Sequence, residues 1–185
     1  TAANSCSGST QNVVVAVNPI PILSSTLTPS PICSATTFTY TATSATAGAT
    51  FSWSRATIAG ISQAGTTGTG NISETLTNTT SSNINVTYVY TTIANSCSNG
   101  QNVIVAVRPS PQGSFTGNTR CAGDISSLGM LTWTATAGTG LFVLDYAPGT
   151  QSNVTSGISY SVSPAGTPYN TGDSLFVLTK VTDSY

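Results

Sequence analysis

The sequence predicts an all-β protein in which tandem β-sandwich modules, each made of two antiparallel sheets, are joined by short Pro-x-Pro linkers. Three observations predict this fold. Short runs alternate apolar and polar residues with period two, as half-buried strands do. Clusters of Gly, Asn and Ser separate the runs about every ten residues. One block of sequence also recurs after about 90 residues, close to the length of one sandwich domain.

The recurring block is an internal repeat. Ala-Asn-Ser-Cys-Ser occupies residues 3–7 and again 94–98. Gln-Asn-Val-Val-Val-Ala-Val at 11–17 returns as Gln-Asn-Val-Ile-Val-Ala-Val at 101–107. Self-similarity at a fixed period is typical of arrays in which each repeat is one structural unit.

Proline-containing segments close both copies of the repeat, Pro19–Pro21 and Pro109–Pro111, at an offset of 90 (109 − 19). We therefore predict that residues 1–21 are the last strand and linker of a preceding, truncated module. Residues 22–111 are predicted to form one complete module. Residues 112–185 are predicted to form a second, related module, truncated at its C-terminal end. Proline lacks an N–H group and fixes φ, so these linkers should end strand pairing and be stiff.

Strands are predicted wherever the alternation is regular, because β-branched, aromatic and Thr residues favour a pleated surface with one solvated face. No stretch shows a helical period of 3.6 with caps. The predicted strands are 38–43, 51–55, 72–76, 84–90 and 103–107 in the complete module and 131–135, 142–144, 158–162 and 175–181 in the last segment.

Turns are predicted between these runs, where Gly, Asn and Ser accumulate. The segments are Ala47-Gly48, Gly60, Gly65–Gly70, Asn78–Asn83 and Asn95–Gly100.

Charge is scarce. Charged residues make up 5% of the chain, and the formal net charge is −1. Without clustered Lys and Arg, neither nucleic acid nor an anionic membrane surface is expected as a partner. Membrane insertion is not expected either, because a membrane helix needs about 20 consecutive apolar residues and the longest apolar runs have five.

Four cysteines are present, and the repeat predicts their pairing. An even number of cysteines in a charge-poor chain indicates extracellular disulfides, the alternative being buried thiols. Cys6 and Cys97 hold equivalent positions before the last strand, whereas Cys33 and Cys121 come early in their modules. We therefore predict a Cys33–Cys97 bond within the complete module. Cys6 and Cys121 are predicted to pair with cysteines outside this chain.

Catalysis is not expected. The chain has no His, so Ser-His and Cys-His nucleophilic pairs are excluded, and the acids are scattered. Glu74, Asp145 and Asp173 are each interpreted as solvated or turn residues. We predict no cofactor and no metal, although Asp145 and Asp183 remain an alternative as calcium ligands.

Aromatic residues within the strands are expected to pack in the core. Trp53, Tyr40, Tyr88 and Trp133 all lie at alternating positions. A carbohydrate-binding platform, which would need such rings exposed side by side, is the alternative for this set.

Several segments resemble the PKD-like repeats of giant surface adhesins from gliding Bacteroidetes-type bacteria. The resemblance covers nearly the whole chain, but the Trp-Asp-Phe-Gly-Asp-Gly signature of standard PKD domains is replaced by Trp53-Ser-Arg. The matching segments are Cys33-Ser-Ala-Thr-Thr-Phe-Thr-Tyr, Phe51-Ser-Trp-Ser-Arg, Ile84-Asn-Val-Thr-Tyr, Gln101-Asn-Val-Ile-Val-Ala-Val, Arg120-Cys-Ala-Gly-Asp, Thr139-Gly-Leu-Phe-Val-Leu-Asp-Tyr and Val181-Thr-Asp-Ser.

This resemblance implies immunoglobulin-like sandwiches, type IX secretion and an extracellular location attached to the outer membrane. The expected function is that of a structural spacer and adhesive surface, whose partners are neighbouring modules, surface polysaccharide or other cell-surface proteins. A carbohydrate-binding accessory module of a secreted enzyme is the alternative function. Asp173-Ser174-Leu175 resembles the O-glycosylation sites of those bacteria and makes Ser174 a candidate for modification.

Overall fold

The computed structural model describes residues 9–118, 129–147, 149–162 and 177–183. Regular secondary structure in these residues consists of β-strands, which confirms the predicted all-β class and its packed sheets. Within the same ranges, no helix has the length and apolar character needed to cross a membrane.

The first sandwich is built from the strands that precede Pro109. The described strands form a sheet in the order β1-β7-β6-β3-β4, which faces the pair β2-β5. Most neighbours are antiparallel, but β1 runs parallel to the end of β7. In chain order these strands are β1 (Ile32–Cys33), β2 (Thr36–Tyr40), β3 (Thr50–Arg55), β4 (Thr66–Thr69), β5 (Ile72–Leu76), β6 (Ile84–Ala94) and β7 (Cys97–Arg108).

A two-residue turn joins β6 to β7. Asn95 and Ser96 both have positive φ, 48° and 64°, and Ala94 pairs directly with Cys97. Two positive φ values match the right-handed twist of a tight hairpin. The turn is thus shorter than the predicted Asn95–Gly100 segment, and β7 begins at Cys97.

A second predicted turn is also wrong in part. Residues 66–69, inside the glycine-rich segment, form β4 and pair with β3. Gly68 lies opposite Trp53, and a Cβ placed there would come within 2.4 Å of Trp53 Cζ2. Glycine in this segment makes room for an indole ring, so it does not mark a loop.

The first core lies between these two sheets. Inward positions on each strand are apolar and outward positions are mostly Thr, Ser or Asn, as the alternation predicts. The buried residues of this core are Leu23, Phe38, Tyr40, Ala42, Ile61, Ile72, Leu76, Val86, Tyr88, Tyr90, Val103, Val105 and Val107.

Residues 9–20 form no strand, and every one of them is exposed. Val13, Val15 and Val17 are 85%, 75% and 88% exposed. The described part of the N-terminal segment therefore contributes nothing to the core of the following sandwich.

A second pair of sheets follows the segment Pro109-Ser110-Pro111. Its strand orders are β12-β9-β8 and β11-β10-β13, and Trp133, Phe142, Leu144 and Val154 form the buried core. The described strands are β8 (Gln112–Gly117), β9 (Gly129–Ala137), β10 (Phe142–Ala147), β11 (Gly149–Val154), β12 (Ser159–Val162) and β13 (Val177–Asp183).

Candidate functional site

The two cysteines predicted to pair lie at opposite ends of one strand. Cys97 begins β7, while Cys33 in β1 lies beside Arg108 at the other end. Eleven residues (108 − 97) at about 3.3 Å each separate these positions by roughly 36 Å. A disulfide needs Cα atoms within about 7 Å. The predicted Cys33–Cys97 bond is therefore wrong, and no pair of described sulfur atoms lies at bonding distance.

The remaining predicted site residues, Cys6, Cys121 and Ser174, lie outside the described residues.

A polar cluster that the sequence interpretation missed lies between the sheets of the first sandwich. Arg55 on β3 and Glu74 on β5 form a two-pronged ion pair. The distance from Arg55 Nε to Glu74 Oε2 is 3.0 Å, and that from Nη2 to Oε1 is 2.5 Å. Tyr88 on β6 donates its hydroxyl to Glu74 Oε2 at 2.6 Å. Both carboxylate oxygens are therefore engaged.

Arg55 also closes the loop that follows β3. Its guanidinium donates to the backbone carbonyl oxygens of Ala56 at 3.2 Å, Gln63 at 3.4 Å and Ala64 at 2.6 Å. The side chain is 0% exposed, against 15% for that of Glu74. A buried cation needs such partners, because an unpaired buried charge costs several kcal/mol.

The cluster shifts the pKa values of its members. The hydrogen bond to Glu74 raises the pKa of Arg55 despite its burial. Burial alone would raise the pKa of Glu74, but hydrogen bonds from Arg55 and Tyr88, with the Arg55 charge, lower it overall. Burial and then the bond to Glu74 raise the pKa of Tyr88. Glu74 therefore stays ionised near neutral pH and has no proton to donate as an acid catalyst.

The interpretation of Glu74 as a solvated or turn residue is wrong, because its side chain is 15% exposed and paired with Arg55. The signal was present in the alternation, because Glu74 holds the inward position between Ile72 and Leu76, and Arg55 follows Phe51 and Trp53 in register. An acid and a base at inward positions of facing strands predict a pair.

The strand aromatics pack inward, as expected. Tyr40, Tyr88 and Trp133 are buried, and Trp53 is half-buried, edge-on to Tyr88 with ring centroids 5.6 Å apart. Among aromatic side chains that the structure describes, none is exposed. The row of exposed rings that a carbohydrate platform requires is absent from this part of the molecule.

A shallow hollow of about 400 Å³ lies on β4, β3 and β6. Five of its eight lining residues carry hydroxyl groups, and none is charged. Its lining comprises Ser52, Trp53, Ser54, Thr67, Gly68, Thr69, Val89 and Thr91. Such a surface offers weak polar contacts without catalytic groups.

The alternative calcium ligands do not come together as a binding site. Asp145 accepts a hydrogen bond from Thr150 Oγ1 at 2.8 Å, and Asp183 Oδ2 lies 3.5 Å from the backbone nitrogen of Thr139. Across the described ranges, no three His, Cys, Asp or Glu side chains gather as a metal site needs.

The proline-containing segment 18–23 is held against the first sandwich. Asn18 Nδ2 donates to the backbone oxygen of Asn95 at 3.1 Å. Pro21 is buried, and the backbone nitrogen of Leu23 donates to Gln101 Oε1 at 2.6 Å. These contacts place the segment at the β6–β7 hairpin end of the sandwich.

The comparison with protein families supports a domain at the position of the first sandwich. Residues 30–113 are similar to PKD-like domains, whose family model they match. We refer to residues 30–113 as the PKD-like domain because of this similarity; they include β1 to β7 and the Arg55–Glu74 pair. PKD-like domains are typically non-catalytic, and one fits a structural or adhesive extracellular module. No curated protein and no solved structure matches the chain.

Proposed function

We propose that the chain is a segment of a secreted surface protein in which tandem sandwich modules act as spacers and adhesive surfaces. The observation that carries this proposal is the second copy of the β7 sequence at residues 11–17, which lies outside the core of the PKD-like domain. A chain that repeats the closing strand of a domain, with a linker after each copy, is organised as an array.

The connections of β1 and β7 suit a module under tension. Besides the β1–β7 pairing, the segment before β1 bonds to β7 through Ile104 N and Leu27 O at 2.9 Å. Ser34 N donates to Arg108 O at 2.9 Å. These contacts join the first residues of the domain to its last strand, β7, and β1 runs parallel to β7. A pull on the two ends therefore loads the bonds together, in shear, instead of one after another.

The linkers favour a stiff array. The segment at 18–23 is anchored to the hairpin end of the domain, and Pro109 at the other end is buried. Proline fixes φ and restricts the preceding residue, so each joint has few conformations. Stiff joints would hold successive modules apart and project a distal adhesive surface.

The resemblance to gliding-bacterium adhesins supplies the finer part of the proposal. On that basis the array is exported by type IX secretion, attached to the outer membrane and used in surface adhesion during gliding. Neighbouring modules and surface polysaccharide or proteins are its proposed partners. The hydroxyl-rich hollow on β3, β4 and β6 supports weak contacts of this kind.

Pulling the chain by its two ends in a single-molecule force experiment tests the spacer role. Complete unfolding of residues 22–111 should release about 300 Å, because 90 extended residues span at most about 3.6 Å each. A Cys33–Cys97 bond would hold back 64 of these residues (97 − 33) and shorten the release by about 230 Å. Ser34→Pro removes the donor to Arg108 and should lower the rupture force, whereas Ser34→Ala keeps that N–H group and serves as control. Rupture at the same force in both variants would contradict the shear mechanism.

Small-angle scattering of the same chain tests its shape. We expect the profile of an elongated particle, with the two sandwiches separated along one axis. A profile typical of one compact particle would argue against a spacer.

A further inference from the structure

The two outer faces of the PKD-like domain differ in character. On the outer face of β3, β4, β6 and β7, which we term the contact face, Val89, Ile93 and Ile104 are 46%, 45% and 38% exposed. On the outer face of β2 and β5 the outward positions hold only Thr and Ser. There Thr37 Oγ1 and Thr75 Oγ1 lie 3.0 Å apart and bond to each other. Only the contact face therefore combines exposed aliphatic groups with hydroxyls.

The hydroxyl groups at the centre of the contact face are not used within the fold. Ser52 on β3 lies directly opposite Thr69 on β4 and Thr91 on β6, and Ser54 lies opposite Thr67. In the described part of the chain, no hydrogen bond engages any of these five hydroxyls. Unlike the paired hydroxyls of the opposite face, they are available to a partner molecule.

The contact face carries no charge. Its outward positions, which fall within 50–54, 67–69, 85–93 and 98–106, hold Thr, Ser, Asn, Gly, Ala, Val or Ile. Without a cation the face does not attract an anionic partner, and without an exposed ring it does not offer the stacking surface that sugars use. Two copies of the face, in contrast, meet without the repulsion that like charges would cause.

The face has both a hollow and projecting side chains. The hollow of about 400 Å³ includes Val89 and Thr91 in its lining. Ile93 is the next outward residue of β6 after Thr91, and Ile104 on β7 pairs with Thr87, the outward residue before Val89. The two isoleucines therefore flank the hollow. When the same face of two copies meets about a two-fold axis, the projecting groups of one copy can enter the hollow of the other.

The size of the face limits the strength of such a contact. Strands about 4.8 Å apart, with about 3.3 Å per residue, give this face an area of about 500 Å² in projection. Two such faces together would bury on the order of 1,000 Å², which is the size of a weak and reversible protein contact.

We propose that the contact face binds the contact face of a second copy of this chain and forms a weak two-fold dimer. The two sheets stack about 10 Å apart, with the aliphatic side chains between them and the unpaired hydroxyls bonding across the interface. This inference rests on the proposed adhesive function and deepens it by naming the partner. In an array, many such contacts act together and hold two chains side by side.

Sedimentation of the 185-residue chain over a concentration series tests the proposal. The wild-type chain should dimerise reversibly between about 10 µM and 1 mM. Val89→Lys and Ile93→Lys each place like charges on both faces and should weaken association at least about tenfold. Thr39→Lys is the matched control, because it adds the same charge at an exposed position of the opposite outer face. This control should associate within about twofold of wild type. Denaturant unfolding of each variant verifies that it is folded.

Hydroxyl-radical footprinting at low and high protein concentration identifies the surface that becomes covered. Val89, Ile93 and Ile104 should react less in the dimer, whereas Ile158, which is 52% exposed in the second sandwich, should react equally in both states. Protection at Ile158 without protection at Val89 would overturn the proposal.

Three further results would overturn it. They are a chain that stays monomeric at 1 mM, equal association of the Val89→Lys and Thr39→Lys variants, and a contact face that becomes protected only when a neutral polysaccharide such as dextran is added. A monomeric chain that scatters as an elongated particle would exclude the dimer and leave the spacer function intact. A compact particle that dimerises through this face would do the reverse.

Discussion

Arg55 and Glu74 connect the two sheets of the PKD-like domain through two hydrogen bonds between a fully buried guanidinium and a mostly buried carboxylate. Tyr88 donates a further hydrogen bond to Glu74, and Arg55 donates to three backbone carbonyl oxygens. In a chain with nine formal charges (4 + 5), two of them are used inside a core. The pair fixes how β3, β5 and β6 align.

Loss of Glu74 should destabilise the domain strongly. Glu74→Ala leaves the Arg55 charge buried without its partner, and breaking a buried pair in this way costs about 3–5 kcal/mol. Denaturant unfolding at neutral pH measures the loss. Ser73→Ala changes the exposed neighbour on the other side of Glu74 and should alter stability by less than about 0.5 kcal/mol.

The pair should be replaceable as a unit. Arg55→Met combined with Glu74→Leu removes both charges and should recover most of the stability lost in Glu74→Ala, because apolar packing can substitute for a buried ion pair. A double variant no more stable than Glu74→Ala would show that the bonds of Arg55 to the loop carbonyls dominate.

Lowering the pH should reduce the free energy of unfolding, because Glu74 becomes protonated. Its pKa in the folded protein lies below the ordinary value of 4.5, so the unfolded chain binds this proton more readily. The stabilisation is complete above about pH 4.5 and is lost as the pH falls through the folded pKa. Unfolding free energies across this range should fall less steeply in Glu74→Gln than in wild type. Parallel profiles for the two proteins would mean that Glu74 is not the group whose protonation destabilises the fold.

Glycine should improve the β6–β7 turn. Ser96 has a φ of 64°, a conformation that costs an L-residue about 1 kcal/mol and costs glycine almost nothing. Ser96→Gly should therefore raise the free energy of unfolding by about 0.5–1 kcal/mol. Ser98→Gly, at an exposed position within β7, should lower it, since glycine weakens a strand.

Gly68 should not tolerate a side chain. Gly68→Ala places a Cβ 2.4 Å from Trp53 Cζ2 and 2.7 Å from Cε2. The indole must move, at a cost of about 1–3 kcal/mol, and its fluorescence should change. Gly100→Ala is the matched control, because the nearest atom to its new Cβ is 3.9 Å away. Equal stability of the two variants would contradict the packing described for Trp53.

Peptide mapping under non-reducing conditions should find no peptide that links Cys33 to Cys97. Each can be replaced by Ser without the loss of about 4 kcal/mol expected for opening a loop of that length. A linked peptide in high yield would require a different register between β1 and β7.

The features of the fold that depend on periodicity can be predicted from the sequence. Alternation located most strands, and the repeat at 101–107 marked a strand whose valines are all buried. It failed where glycine has a packing role, as at Gly68, and where one residue decides a turn, as at Ser96. The wrong Cys33–Cys97 prediction rests on positions in the repeat. The placement of β1 beside the far end of β7, which separates the two cysteines, depends on contacts between distant residues.

The ion pair was also predictable in part. Period two places Arg55 and Glu74 at inward positions, but Glu74 also lies in a polar run, which favours its interpretation as a solvated or turn residue. Which acid meets which base is set by how the sheets face each other, and no local pattern encodes that.

Hydrogen exchange of the two matching segments in dilute solution tests the central claim most directly. The amides of residues 101–107 should be protected by at least about a thousandfold, because they open only with the domain. Those of residues 11–17 should exchange close to the rate of an unstructured chain. Equal protection of both segments in monomeric protein would contradict the account, since the first segment would then belong to the fold that follows it.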